Sequence, residues 1–402
     1  MALMPVAEAL EKVLAGVAPL PAEAAPLSEA HGRVLAADLT ALRTQPPANV
    51  SAMDGFAVRG VDVASAPARL KVIGEVAAGR PFAGEVGPGE AARIFTGGEL
   101  PPGADTVVIQ EVTKREGDGV VVTAATSPGR NVRAQGLDFT SGETLLRKGQ
   151  RLTSRSLALA AAMNHPTVPV HRRPTVAILA TGDELVAPGS RVGPGQIVYS
   201  NGFALGALIR HEDAELVDLG IVGDDLDATV KAIGRARERS ADVLVTAGGA
   251  SVGEYDLVQQ ALTALGLELT FWKVALRPGK PLLHGRLAAM RVLGVPGNPV
   301  SAFVCALLFL VPLIRRLAGR TDLGPQPESA VLGRDLPAND ERMDYLRATL
   351  ALHDGNMVAS PFPTQDSSMM APLARADCLV IREPFAPAAS AGSPCTIVKL
   401  GL

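Results

Sequence analysis

From Thr175 onward, short apolar runs alternate with amphipathic stretches at a spacing that leaves few folds open. Runs at 175–180, 215–222 and 242–247 are interleaved with helical patterns at 204–211, 227–239 and 256–265. Strands separated by helices of that length form βαβ units, so the pattern predicts a mainly parallel sheet with helices on both faces. In such a sheet ligands bind beyond the carboxyl ends of the strands, so the loops after the apolar runs are the places to look for chemistry.

The chain has 402 residues, more than the roughly 250–300 at which a single core stops growing, so further domains are expected. Val6, Leu10, Val13, Leu14 and Val17 recur at helical spacing, and a second helix is predicted at 154–163. Between them, from 45 to about 135, short Val/Ile-rich runs at 70–73, 106–110 and 120–122 are broken by Gly and Pro, which reads as an inserted β-rich domain. The stretch 319–328, with Gly324, Pro325 and Pro327, reads as a linker, and the short strand-like runs beyond it suggest a small β domain.

Several function classes lose support at this stage. A formal net charge of −3 gives no global attraction to nucleic acid or anionic lipid, so any anion site must be local. Cys305, Cys378 and Cys395 form no C-x-x-C pair, which argues against a disulfide framework and a cysteine zinc site. The longest apolar run, 302–314, contains Pro312 and is shorter than the ~18–20 residues of a membrane span, so a buried helix is expected. Glu8 and Glu11 interrupt the first apolar stretch, unlike a secretory signal, and a cytoplasmic location is expected.

Three loops stand out. Thr181-Gly182-Asp183-Glu184-Leu185 follows the first run, and Gly248-Gly249-Ala250-Ser251-Val252-Gly253-Glu254-Tyr255-Asp256 follows the third. Its glycines let backbone N–H groups approach a phosphate at a helix start. An ordinary strand-to-helix turn with Asp256 as N-cap explains the same residues. Asp224 and Asp225 precede another helix, where one of them is expected to cap. Asp183, Glu184, Asp224, Asp225, Glu254 and Asp256 would thus share one sheet edge and repel one another, which Mg²⁺ bridging carboxylate and phosphate oxygens would relieve.

The next segment, Trp272-Lys273-Val274-Ala275-Leu276-Arg277-Pro278-Gly279-Lys280-Pro281, is opposite in sign. Lys273 and Arg277 suit either solvated strand ends or an oxyanion, and the prolines present Lys280 in a rigid turn. Gly294-Val295-Pro296-Gly297-Asn298-Pro299-Val300-Ser301-Ala302 then leads into a helix; it is either a Pro-initiated start or an anion-binding turn.

These loops, together with Ser51-Ala52-Met53-Asp54-Gly55-Phe56-Ala57-Val58 and Ile94-Phe95-Thr96-Gly97-Gly98 leading to Pro102-Gly103-Ala104-Asp105, occur in the order seen in one family. Over essentially its whole length the chain closely resembles molybdopterin molybdenumtransferase, the family that includes the E domain of gephyrin. The resemblance implies a multidomain α/β plus β fold. A segmented linker domain (1–44 and 137–172) carries the inserted β-rich domain (45–136), followed by a pterin-binding α/β domain (173–326) and a C-terminal β-barrel domain (327–402). It also implies an elongated homodimer whose active site is shared between subunits, with Asp54 and Thr96 contributed across the dimer.

By the same resemblance, Glu184, Asp224 or Asp225, and Asp256 form the acidic set near Mg²⁺ and the pyrophosphate, with Asp224, Asp225 and Asp256 as candidate metal ligands. Thr181, Gly182, Gly248, Gly249 and Ser251 border the pterin phosphate. Lys273, Arg277, Lys280 and Ser301 resemble oxyanion contacts, as do Arg347 in Tyr345-Leu346-Arg347 and Ser367 in Gln365-Asp366-Ser367. Asp138 matches an acidic position at a domain junction and reads as structural. Arg277 stands where lysine is common, a planar fork in place of a compact ammonium. Tyr199 stands where aspartate is frequent, so no carboxylate role is assigned there.

The activity implied is Mg²⁺-dependent insertion of molybdate into adenylylated molybdopterin with release of AMP, with a pterin-donating adenylyltransferase as partner. The alternatives are a molybdopterin adenylyltransferase, which shares a similar α/β domain, and a non-enzymatic scaffold of the gephyrin E-domain type. Nucleic-acid and membrane roles have no support.

Overall fold

The structure is a computed structural model and describes residues 3–248 and 257–401. At its centre lies a six-stranded sheet in the order Glu215–Val222, Thr175–Thr181, Val243–Ala247, Met290–Val295, Pro281–Leu287, Glu268–Lys273. The first four strands are mutually parallel. Pro281–Leu287 runs antiparallel to both of its neighbours. The helix-separated spacing of the earlier strands ends there, because Pro281–Leu287 returns directly as Met290–Val295 in a hairpin with no helix between them.

Thr175–Thr181 is buried from its second residue to its last, as a central parallel strand covered on both faces must be. Its side chains alternate between two cores. Val176 and Ile178 pack with Leu205 and Ile209 of helix Asn201–His211, with Phe309 and Leu313, and with Ala9 and Val13 of the N-terminal helix Val6–Leu14. Ala177 and Leu179 pack with Ala232, Ile233 and Ala236 of helix Leu226–Glu238 and with Ala261 and Leu262 of helix Leu257–Ala264.

The apolar run around 302–314 extends further than its sequence suggests. It belongs to a continuous helix, Pro299–Leu317, whose 19 residues and mean hydropathy of 2.0 would allow a membrane crossing by length and composition alone. The expectation of a short run is therefore corrected, while the expectation of burial is met: 83 % of the most apolar window is packed inside the protein. Pro312 has no N–H to donate to the preceding turn, and the helix accommodates it with a π turn at Ala306–Leu310.

The stretch 319–328 is not a free linker either. Glu212, at the end of helix Asn201–His211, accepts from Arg315 (2.6 and 2.8 Å) and Arg320 (2.6 Å). Arg320 also grips Asp322, and Arg315 reaches the carbonyl of Asp322 at 3.2 Å. One buried and one partly buried guanidinium around a buried carboxylate pin the exit from the α/β unit.

Segments on either side of 45–136 share one core. Ala22–Pro26 pairs antiparallel with Thr167–His171, Leu39–Thr40 pairs with Thr144–Leu146, and Ala25, Leu35, Phe139, Leu152, Met163 and Val168 pack together. Helix Ser154–Ala162 begins at a capping box between Thr153 and Ser156. The intervening chain forms a second six-stranded sheet centred on Gly55–Val58, Glu90–Ile94 and Ala68–Val76.

At the C-terminal end, Met343–His353 pairs with both Asn356–Pro361 and Cys378–Arg382, which closes five strands into a barrel. Leu276–Arg277, from the α/β part of the chain, adds to Met343–His353 in parallel and ties the barrel to the sheet.

Candidate active site

An open cleft of about 1080 Å³ lies over the carboxyl ends of the parallel strands. Thr181, Gly182, Glu184, Asp224 and Gly248 form one side, and Pro296, Gly297, Asn298 and Pro299 form another. Ser368 and Met370 reach in from the barrel, so the cleft spans the junction between the sheet and the barrel. Gly248 is required by the packing here: its φ is +104°, and a Cβ would stand 2.7 Å from the Thr181 carbonyl oxygen.

The two neighbouring aspartates separate clearly. Asp225 is the N-cap of helix Leu226–Glu238, its Oδ1 accepting from the Ala228 N–H at 2.6 Å. Asp224 instead lines the cleft, and its backbone N–H donates to Asp183 Oδ1 at 3.0 Å. The sequence left the pair open by one residue; the geometry leaves Asp224 as the carboxylate available to a ligand.

The basic set divides in the same way. Lys273 and Lys280 are exposed at strand ends. Arg277 does not present a free guanidinium to the cleft as expected. It forms ion pairs with Asp344 and, at 2.9 Å, with Asp340, and it donates to Asn339 at 2.8 Å. Those carboxylates hold its pKa above the ordinary arginine range, chiefly through Asp344. Its planar fork fastens the barrel.

Arg347 is 1 % exposed, and its donors are directed to the protein itself. Nη1 donates to the Met369 carbonyl and Nη2 to the Asp366 carbonyl, each at 2.9 Å, and Nε donates to Gln365 Oε1 at 3.3 Å. Rather than the open anion contact expected, it shapes the loop that carries Ser367 and Ser368. Ser301 is buried in the first turn of the long helix, and Ser367 is joined to Asn298 across the domain junction.

Asp54 and Thr96 do come together, in the inserted domain. Asp54 Oδ1 accepts from the Thr96 N–H and hydroxyl, both at 2.8 Å, and the backbone bond above all keeps this carboxylate below its usual range. Neither residue lines the cleft of the same chain. Gly249, Ser251, Glu254 and Asp256 lie outside the described residues.

Sequence reading missed several cleft residues. Tyr199 lines the cleft while its hydroxyl is packed against Gly202, and burial pushes the phenol up to about 12. Asn201 Nδ2 donates to the Gly297 carbonyl at 2.8 Å, joining a helix start to the Pro-Gly-Asn-Pro turn. The signal lies in Tyr199-Ser200-Asn201, three polar residues in a row that all line the cleft. Among the described residues no cluster of three metal-ligating side chains is present. Asp224 and Glu184 are nevertheless the hard oxygen donors that Mg²⁺ prefers, so the cleft fits such an ion bound jointly by protein and phosphate.

A mainly parallel open sheet with an acidic, glycine-turned cleft at its carboxyl edge, closed by a small barrel, defines a class of α/β protein that takes its ligand at a domain junction. Three family profiles match in succession: the MoeA N-terminal region (domain I and II) over residues 4–164, a probable molybdopterin binding domain over 177–316, and the MoeA C-terminal region (domain IV) over 329–400. The chain is 40 % identical to the molybdopterin molybdenumtransferase of Nostoc sp. over 81 % of its own length and 76 % of the relative's. It is 35 % identical to that of Haemophilus influenzae over 92 % of both. A molybdopterin biosynthesis MoeA protein from Pyrococcus horikoshii superposes with a TM-score of 0.84 at 32 % identity, covering 99 % of each chain. The chain belongs to the molybdopterin molybdenumtransferase family, and it is a transferase.

Proposed function

We propose that this chain inserts molybdate into adenylylated molybdopterin with Mg²⁺, releasing AMP. The observation that carries the reading is the two-sided cleft. One wall offers Asp224 and Glu184 at the sheet edge; the other offers serine hydroxyls, Ser368 lining the cleft with Ser301 and Ser367 adjoining. A pyrophosphate suits the first wall and a tetrahedral oxyanion the second.

Asp224, together with Asp256, would hold the metal; when bound, the ion would neutralise the pyrophosphate and favour departure of AMP. The remaining work belongs to the protein. The Gly248 turn admits the phosphate backbone closely, Lys273 and Lys280 supply cationic charge, and Ser301 and Ser367 orient molybdate. Arg277 and Arg347 act through the loops they hold. Catalysis is then mainly positioning and charge compensation in a cleft set before the reactants arrive. Asp54 and Thr96 sit away from the cleft of their own chain, which supports a homodimer in which one subunit completes the site of the other. A cytoplasmic chain receiving its pterin from an adenylyltransferase fits this chemistry.

The purified chain should release AMP from adenylylated pterin only when molybdate and Mg²⁺ are both present, with cofactor appearing in step with AMP. Adenylylated pterin formed from ATP and the apo-pterin would instead make the chain an adenylyltransferase. No molybdate-dependent AMP release would leave the scaffold reading.

A further inference from the structure

The side chain of Asn298 does not do what an asparagine at a helix start ordinarily does. Asn298 is the N-cap of the helix that begins at Pro299, a position where an asparagine side chain usually accepts a hydrogen bond from its own first turn. No such bond forms. The amide reaches out of its own domain instead, Nδ2 donating to Ser367 Oγ of the barrel loop at 2.7 Å. A backbone bond runs alongside, from Val300 N–H to the Ser367 carbonyl at 3.1 Å. Ser367 is thus seated from two sides, on a loop whose neighbouring carbonyls are held by buried Arg347.

A serine hydroxyl has one proton to give and two lone pairs. Because Ser367 Oγ accepts from the Asn298 amide, its own proton is directed away from Asn298. Among the described residues nothing accepts that proton. Asn298 and Ser368, on either side of this contact, both line the cleft. We propose that Asn298 is a positioning residue that fixes the Ser367 hydroxyl as a hydrogen-bond donor to a tetrahedral oxyanion, and that molybdate affinity depends on this polarity. The inference rests on the function proposed above and names how one side of the oxyanion site is set.

The test uses the full-length chain and reads molybdate binding by equilibrium dialysis beside AMP-release kinetics. Asn298→Ala frees the hydroxyl to rotate, and Asn298→Asp, nearly isosteric, gives it an acceptor that consumes its proton. Asn298→Asp, which takes the proton from the ligand, should weaken molybdate binding by about ten- to hundred-fold, and Asn298→Ala, which keeps the donor but not its direction, by about two- to five-fold. The KM for adenylylated pterin and kcat at saturating molybdate should stay within about two-fold, which a general loosening of the barrel would not allow. In a Ser367→Ala background, Asn298→Ala should add nothing, since the group it orients is already gone. Wild-type molybdate affinity in both Asn298 variants overturns the inference, and so does an Asn298→Ala effect that persists in full without Ser367. A wild-type chain that binds molybdate but releases no AMP defeats the function reading alone, because the dissociation constants still report on Asn298.

Discussion

His284 is a titratable ring sealed in an apolar interior. It is fully buried against Phe271, with ring centroids 5.6 Å apart, and its Nδ1 lies 3.1 Å from the Val292 carbonyl. Nε2 has no partner among the described residues. Burial lowers its pKa from 6.5 to about 4, so the folded protein keeps the ring neutral where the unfolded chain takes up a proton. The resulting stability is complete above pH 6.5 and drains away as pH falls towards 4, by roughly 3 kcal/mol in all. Urea midpoints measured from pH 7 to 4.5 should fall for the wild type and fall less for His284→Phe; equal slopes would remove His284 as the cause. The adjacent aspartates make a second contrast at this scale. Asp225→Asn should keep AMP release and Asp225→Ala should cost about 1 kcal/mol of stability as a lost cap, whereas Asp224→Asn should remove most activity with its melting temperature little changed. Sequence could say that one of the two caps a helix. Only the folded backbone decides which one: Asp225, extended at φ −130° and ψ 126°, stands at the N-cap and accepts from Ala228.

Among elements, the legible ones were those whose partners are close in sequence or whose burial is periodic. Thr175–Thr181 and Val243–Ala247 were legible as continuous apolar runs because both faces are covered, and helix Ser154–Ala162 was predicted at 154–163. The hairpin of Pro281–Leu287 and Met290–Val295 did not, since it breaks the alternation that made the rest readable. Nor could sequence show that Arg277 and Arg347, cations in a basic segment and a family motif, direct their guanidiniums to Asp344 and to loop carbonyls. Their partners lie at the far end of separate elements, where no spacing rule reaches. The same holds for Glu212, whose side chain is 1 % exposed between Arg315 and Arg320 at 15 % and 7 %. Glu212→Ala leaves Arg315 without its carboxylate and Arg320 with Asp322 alone, and should destabilise the chain by about 3 kcal/mol. Chemical denaturation measures it, and a loss below about 1 kcal/mol would mean that the pair stays solvated.

At the scale of the whole molecule, the acidic wall, the Pro-Gly-Asn-Pro turn and the barrel loop meet in one cleft, while Asp54 and Thr96 form a preset pair in a different domain. If exchange needs both, two chains must cooperate. Asp54→Asn and Asp224→Asn damage opposite halves of such a site, so each homodimer should be inactive. A dimer with one chain of each kind carries one site in which both halves are intact. Co-refolding the two variants in equal amounts and following molybdate-dependent AMP release tests this directly. Random pairing should restore about a quarter of the wild-type rate, and a mixture as inactive as its components would contradict a site shared between subunits.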